Sequence, residues 1–343
     1  MPRPPLSRRR AIGGLALVTC LVTSACGGGG GPDAADSTTP VSQNTAALVT
    51  LNHQWPLTGL PVDGDLPGHG VFVVKIDNTP AAAPQVGLAS ADMVVEELVE
   101  GGLTRLATFF YSTLPPGPVG PARSMRATDI GIVKPIDAIL VGSGGAPRTL
   151  ARIAGAKITT GSEREGSKGF VRDASRGAAP YNLMVNLQTL AGTFKGRTPL
   201  HTYFSFGSES DFPGGKPAES FDVVFSGAHT TSWKYVDGQG YIRQDSLAEP
   251  GDDFVPDSVL VLRVPFGDAG YLDPAGNPVP EALFFGKGTA TLFHDGQMVA
   301  ANWTKADASA PLELKTSDGP LAVPAGHIWT ELIPATGSRV TVR

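Results

Sequence analysis

Cysteine is nearly absent from this chain. Only Cys20 and Cys26 carry a thiol among 343 residues, and both fall in the first 26 positions. A body without cysteine has no disulfide framework, no thiol nucleophile and no Cys-based metal site. The six histidines (53, 69, 201, 229, 294 and 327) are scattered, with no pair at metal-ligand spacing. No metal and no other cofactor is therefore expected. Charge is sparse too, at 17% of residues, and acids outnumber bases 32 to 27. Such a balance creates no general field attracting DNA or an anionic bilayer, so nucleic acid is not an expected partner. The apolar stretch Ala11–Val22 is about a dozen residues long, short of the roughly 20 that a membrane-crossing helix needs.

Glycine and proline, by contrast, are abundant at 43 and 30 residues, about a fifth of the chain. With 41% hydrophobic residues, that composition favours a globular body rich in strands and loops. At roughly 100–200 residues per domain, the length suggests two domains after any tail.

The first 25 residues read as a secretory signal. Met1–Arg10 holds four Arg and no acid, an apolar stretch follows, and Thr23-Ser24-Ala25-Cys26 supplies a small-residue cleavage site. Ala25-Cys26 with Gly27–Gly31 behind it looks like a bacterial lipobox, in which the Cys becomes the lipidated first residue. Ser7-Arg8-Arg9 matches a twin-arginine export signal in part. Loss of the four Arg takes the formal charge from −5 to about −9. Residues 26–47 then form a tether of Gly, Ser, Thr, Pro and Asp with a reach of roughly 25 Å. The expected location is the extracytoplasmic face of the cell membrane, held by a lipid on Cys26.

Two domains are expected beyond the tether: an α+β or α/β domain with a mixed sheet over 48–206, and a mostly antiparallel β domain over 207–343. In the first, Val71–Ile76 is a β-branched and aromatic run, hence a buried strand ended by Asp77-Asn78-Thr79-Pro80. Met93–Val99 and Leu103–Tyr111 flank Glu100-Gly101-Gly102 as a hairpin. Ser124 is placed to cap a helix from Met125 to about Lys134, before a strand over Ile136–Val141. Gly142-Ser143-Gly144-Gly145 leads to a second helix with Pro147 near its first position. In the second domain Phe221–Phe225, Trp233–Tyr235, Tyr241–Arg243, Val259–Val264, Thr289–His294 and Ile328–Ile333 read as strands. Asp237-Gly238 and Asp295-Gly296 read as hairpin turns.

An arginine cluster carries the chemistry. Arg123 and Arg126 would stand beside a helix N-terminus, the wrong end for a cation. Either internal acids such as Glu96, Glu97 or Asp129 compensate them, or an anionic ligand does. Glu96 and Glu97 lie inside an apolar strand and point to opposite faces, with Arg105 expected across the hairpin from Glu96. A carboxylate there is either paired or lines a cleft with Asp77. Ser143 and Gly144, in a Gly-rich turn between strand and helix, could cradle an anion, present Ser143 as a nucleophile or form a tight structural turn. The lack of a G-x-S-x-G, a Walker lysine or a Ser-x-x-Lys argues against the nucleophile. Arg172 and Asn182 could rim the same cleft or belong to a surface loop. The candidate ligand-binding residues are thus Asp77, Asn78, Glu97, Arg105, Arg123, Ser124, Arg126, Ser143, Gly144, Arg172 and Asn182, with Asp77 and Glu97 as possible catalytic carboxylates. Trp233, Trp303 and Trp329 could stack on sugars from a sheet, but at least two of them are expected in a core.

Several segments in chain order resemble one family. They are Trp55-Pro56-Leu57-Thr58-Gly59-Leu60, Val74-Lys75-Ile76-Asp77-Asn78, Glu96–Arg105, Val119-Gly120-Pro121-Ala122-Arg123-Ser124, Ser143-Gly144-Gly145, Ala179-Pro180-Tyr181-Asn182 and Gly326-His327-Ile328-Trp329. Together they look like the YerB-like bacterial lipoproteins, a family with N- and C-terminal parts. The resemblance implies a lipid-anchored, two-domain envelope protein and brings no activity or ligand with it. Tyr181 stands where a His is commoner in that family, so the resemblance implies no His-based mechanism there.

Three functions follow as expectations. The first is a binding or accessory module that offers Arg105, Arg123 and Arg126 to an envelope glycan or prenyl phosphate. The second is a metal-independent hydrolase or transferase with a carboxylate base. The third is an adaptor that meets an envelope protein partner through the β domain.

Overall fold

β-Branched and aromatic residues dominate Phe72–Asp77 (β1) and Thr104–Phe110 (β3), Met93–Leu98 (β2) sets Val94 and Val95 among other apolar residues, and all three are strands in a computed structural model that describes residues 53–343. The signal, the lipidated Cys26 and the tether expected from the sequence lie outside the described residues. β2 and β3 pair antiparallel across Glu100–Gly102, where Gly101 and Gly102 take φ of 71° and 73°. β1 lies antiparallel to β3 and parallel to Ile139–Gly142 (β4), which in turn is parallel to Thr160–Ser162 (β5).

The helix expected over Met125–Lys134 needs correction. The observed helix is Asp129–Val133 (α1), five residues long, and Ser124 does not cap it. Residues 123–125 are instead extended because the sheet takes their hydrogen bonds. Arg123 N–H donates to the Lys75 carbonyl at 2.8 Å, Ser143 N–H donates to the Arg123 carbonyl at 3.0 Å, and Met125 N–H donates to the Gly144 carbonyl at 2.8 Å. A 3₁₀ turn over Lys134–Ile136 continues α1, which moves the start of β4 from 136 to 139. The second helix, Pro147–Gly155 (α2), has its Pro at the first position as expected.

This extended strap explains Gly142. A Cβ there would stand 2.6 Å from the Arg123 carbonyl oxygen. Gly142→Ala should therefore push the strap off β4 and lower the unfolding free energy by about 2 kcal/mol, measurable by urea unfolding.

The remaining helix, Leu187–Ala191 (α3), also precedes residue 207, after the hairpin Phe170–Arg172 (β6) and Leu183–Val185 (β7). From 207 onward the regular structure is almost all strand, and the six expected runs are strands. The Asp237-Gly238 and Asp295-Gly296 pairs turn their hairpins, with φ of 49° at Asp295 and 66° at Gly296. The fold is thus an α/β segment with a mixed sheet followed by a mostly antiparallel β segment.

Both segments share one twelve-stranded sheet. Ile328–Pro334 runs parallel between β2 on one side and Ser258–Val264 on the other, and so joins the two halves edge to edge. The described residues 53–343 form a single unit by their contacts. One sheet face packs Val73, Met93, Phe109 and Leu140 against Ile132 of α1 and Ile153 of α2. The other packs Phe72, Val74 and Leu106 with Phe221 and Trp233 of a four-stranded sheet built from Ser220–Val224, Thr230–Val236, Gly240–Arg243 and Arg339–Val342. Trp233, Trp303 and Trp329 are all buried in these cores. Among the described residues, no helix is long and apolar enough to cross a membrane.

Candidate functional site

The two-residue period of a strand sends alternate side chains of β1, β2 and β3 to one face. On the helix-covered face the register places Glu97, Arg105 and Asp77 in one row across the three strands. Arg105 therefore stands opposite Glu97, which corrects the expected pairing with Glu96. The cause is the turn. Val99 N–H donates to the Leu103 carbonyl at 2.8 Å and encloses three loop residues, and a three-residue loop shifts the register by one from a two-residue turn. A shift of one residue changes the face.

Lys75 lies one pleat below that row. Its ammonium pairs with the Glu97 carboxylate and sits 2.7 Å from Asp129 Oδ1, and all three side chains are fully buried. Arg123 Nη1 pairs with Asp77 Oδ2, while Thr79 Oγ1 donates to Asp77 Oδ1 at 2.7 Å. Arg126 Nε donates to Glu100 Oε2 at 3.0 Å and its Nη2 pairs with Oε1. Arg126 Nη1 also donates to the Ser124 and Met125 carbonyls at 3.2 and 3.1 Å. Internal acids thus satisfy Arg123 and Arg126, and the helix N-terminus has no part in it.

Arg105 is left over. It is 4% exposed, and its Nε and Nη1 are buried without a hydrogen-bond partner among the described residues. Its neighbours are engaged elsewhere, Asp77 by Arg123, Glu100 by Arg126 and Glu97 by Lys75 through Oε1, while Glu97 Oε2 is itself buried without a hydrogen bond. Burial and the adjacent Arg126 and Arg123 charges bring its pKa down to about 10, so it stays charged at neutral pH.

Burial raises the Glu97 carboxyl to about 6, with Lys75 opposing the rise and Asp129 adding to it. Glu97 therefore holds its proton more tightly in the folded chain than in the unfolded one. Its contribution favours the fold below about pH 4.5 and is lost as pH rises toward 6, by about 2 kcal/mol. Relative to wild type, Glu97→Gln should gain that amount across the same interval in urea unfolding at stepped pH. An unchanging difference would place Glu97 outside this titration.

Glu96 and Asn78 face the other side of the sheet, so Asn78 does not join the arginine cluster. Asn78 Nδ2 donates to Glu96 Oε1 at 3.0 Å and to Thr104 Oγ1 at 2.8 Å, and Asn78 Oδ1 accepts from Arg243 Nη1 at 3.2 Å. Burial alone would raise Glu96, but His229 and Arg243 outweigh it and hold its pKa at about 2. The Ser143 and Gly144 backbones serve the strap described above. Arg172 Nη1 donates to Asn182 Oδ1 at 3.0 Å, and Asn182 Nδ2 donates to the Gly177 carbonyl at 2.8 Å. These bonds hold the loop that carries Tyr181, whose ring centre is 5.1 Å from the Arg123 guanidinium.

Lys75, Glu100 and Tyr271 were not singled out from the sequence. The one available signal for Lys75 was a lone lysine inside the apolar run Val71–Ile76. Tyr271 arrives on the hairpin Phe266–Leu272 and Pro278–Ala282 of the C-terminal half. That hairpin is fastened over α2 and the start of α1. Arg152 meets both Glu281 oxygens at 2.5 Å, Thr149 Oγ1 and Tyr271 OH lie 2.9 Å apart, and Ala282 N–H donates to Thr128 Oγ1 at 3.0 Å. Against its burial, the Glu100 carboxylate raises the Arg126 pKa, and the Glu97 charge adds to the effect.

Both candidate catalytic carboxylates are buried and engaged, Asp77 by two partners and Glu97 by Lys75. Among the described residues, no three His, Cys, Asp or Glu side chains converge as a metal site.

Two family profiles match the chain in order. Residues 57–200 match the N-terminal domain of "Protein of unknown function (DUF3048)", and residues 221–330 match its C-terminal domain. A Bacillus subtilis (strain 168) protein, "Putative lipoprotein YerB", is 39% identical over 92 residues, which are 27% of this chain and 28% of that relative's length. The crystal structure of YerB protein from Bacillus subtilis has a TM-score of 0.69 at 19% identity, covering 84% of this chain and 99% of that one. At that identity the likeness shows a shared fold. With both profiles matched in order over most of its length, the chain belongs to the DUF3048 family.

Proposed function

We propose that this chain is a lipid-anchored binding module on the extracytoplasmic face of the cell membrane, whose arginine cluster receives an anionic group of the envelope, a glycan or a prenyl phosphate. The lipobox-like Ala25-Cys26 and the lipoprotein name of its Bacillus relative support the anchor. One observation supports the binding site: a buried arginine with no hydrogen-bonded partner among the described residues, beside three cations that each have an acid. A bare buried guanidinium is costly, and an anion that forks onto it removes the cost. The position suits a ligand, because Asp77 ends β1 beside the parallel strand β4, and open α/β sheets bind at such carboxyl ends.

Thermal melts of the full chain with soluble envelope glycans and short prenyl phosphates test this reading. A ligand at 100 times its Kd should stabilise wild type by about 2.7 kcal/mol and leave Arg105→Met unmoved. Equal shifts in both proteins, or none in wild type across the panel, would remove Arg105 from any binding site.

A further inference from the structure

The arginine cluster is close to electrically balanced before any ligand arrives. Arg123 and Arg126 each have one carboxylate, and Lys75 lies between two, Glu97 and Asp129. By count, the four carboxylates match the four cations with Arg105 included, although none of them pairs with it. Arg105 is also flanked in register by Asp77 and Glu97, with Glu100 near enough to act on its charge. Its guanidinium can grip the two oxygens of one oxyanion in a fork. A second charge on that anion would find every other cation taken and three carboxylates close by, in surroundings that screen poorly.

Two tyrosines beside the cluster add a second constraint. Both are half-buried, Tyr181 against Arg123 and Tyr271, on the hairpin above α2, near Arg126. Each is held in place, Tyr181 by the Arg172–Asn182 bond in its loop and Tyr271 by Thr149. Aromatic rings with an apolar body and a polar tip suit a ligand that is itself part apolar face and part hydroxyl, as a sugar ring is.

Resting on the anion-binding reading above, and narrowing it to the acidic glycan, we infer that the site takes a singly charged, two-oxygen anion carried on a sugar, and rejects phosphomonoesters and diphosphates, prenyl phosphates among them. An acidic glycan can present that chemistry as a carboxylate or as a phosphodiester.

Calorimetric titration of the full chain at about pH 8, where a phosphomonoester carries nearly two charges, separates these cases. The probes are glucuronate, glucose 1-(methyl phosphate), glucose 1-phosphate, pyrophosphate and acetate. Glucuronate, the methyl diester or both should bind at least about ten-fold tighter than glucose 1-phosphate and pyrophosphate, and whichever binds identifies the source. Tyr181→Leu should weaken binding of that sugar probe about five-fold and leave acetate unchanged, whereas Arg105→Met should abolish both. Arg105-dependent binding of glucose 1-phosphate or pyrophosphate at equal or higher affinity overturns the single-charge inference and leaves the anion site standing. Acetate binding as tightly as the sugar probes overturns the sugar. Absence of binding by every probe, or binding that survives Arg105→Met, overturns both readings.

Discussion

Lys75→Met should lower the unfolding free energy by about 3–5 kcal/mol at neutral pH, the largest loss expected from any single substitution in the cluster. The ammonium lies between Glu97 and Asp129 with all three side chains fully buried. Removing it leaves two carboxylates facing each other in a low-dielectric interior with no cation between them. The loss should shrink at about pH 5, because Glu97, already raised to about 6, then takes up a proton and relieves the repulsion. Urea unfolding of wild type and variant at the two pH values measures both effects. A loss under about 1 kcal/mol at neutral pH would mean that the triad is not charged as described.

Arg105→Met should have the opposite sign. Most substitutions of buried residues destabilise, yet replacing an unpaired buried charge by an apolar side chain of similar length should stabilise the unliganded chain by about 1–3 kcal/mol. The flexible thioether can fill the vacated space. Asp77 and Glu100 keep Arg123 and Arg126, so the substitution orphans no acid. A binding site that retains a costly free cation trades stability for function. Equilibrium unfolding without ligand reads the sign directly.

Much of the fold was legible in short-range pattern. The β-branched runs of β1, β2 and β3, the Gly101-Gly102 hairpin and the Asp-Gly turns all follow from local preference, and the structure contains them. What local pattern could not supply was competition from distant backbone. Residues 123–125 look helical by composition, but β1 and the Ser143-Gly144 turn take their hydrogen bonds, and the helix starts at Asp129 instead. The joining of the two halves through Ile328–Pro334 depends on strands far apart in the chain.

The candidate site was legible as a set of residue types but not as pairings. Asp77, Glu97, Arg105, Arg123 and Arg126 do meet, whereas Asn78, one residue after Asp77, faces the opposite side of the sheet. The partner of each cation depended on a register that one extra loop residue shifts. Lys75 passed unnoticed because its neighbours mark a core strand, and only the fold shows two acids waiting for it.

The most direct test of the account is urea unfolding of wild type and Arg105→Met, each with and without saturating glucuronate and, separately, glucose 1-(methyl phosphate), at least one of which the account requires to bind. Arg105 held free for an anion predicts that the variant is the more stable protein without ligand. It also predicts that ligand stabilises wild type alone, enough to reverse the order. A variant that is less stable than wild type in both conditions, with ligand changing neither, would contradict the account and make Arg105 part of the architecture.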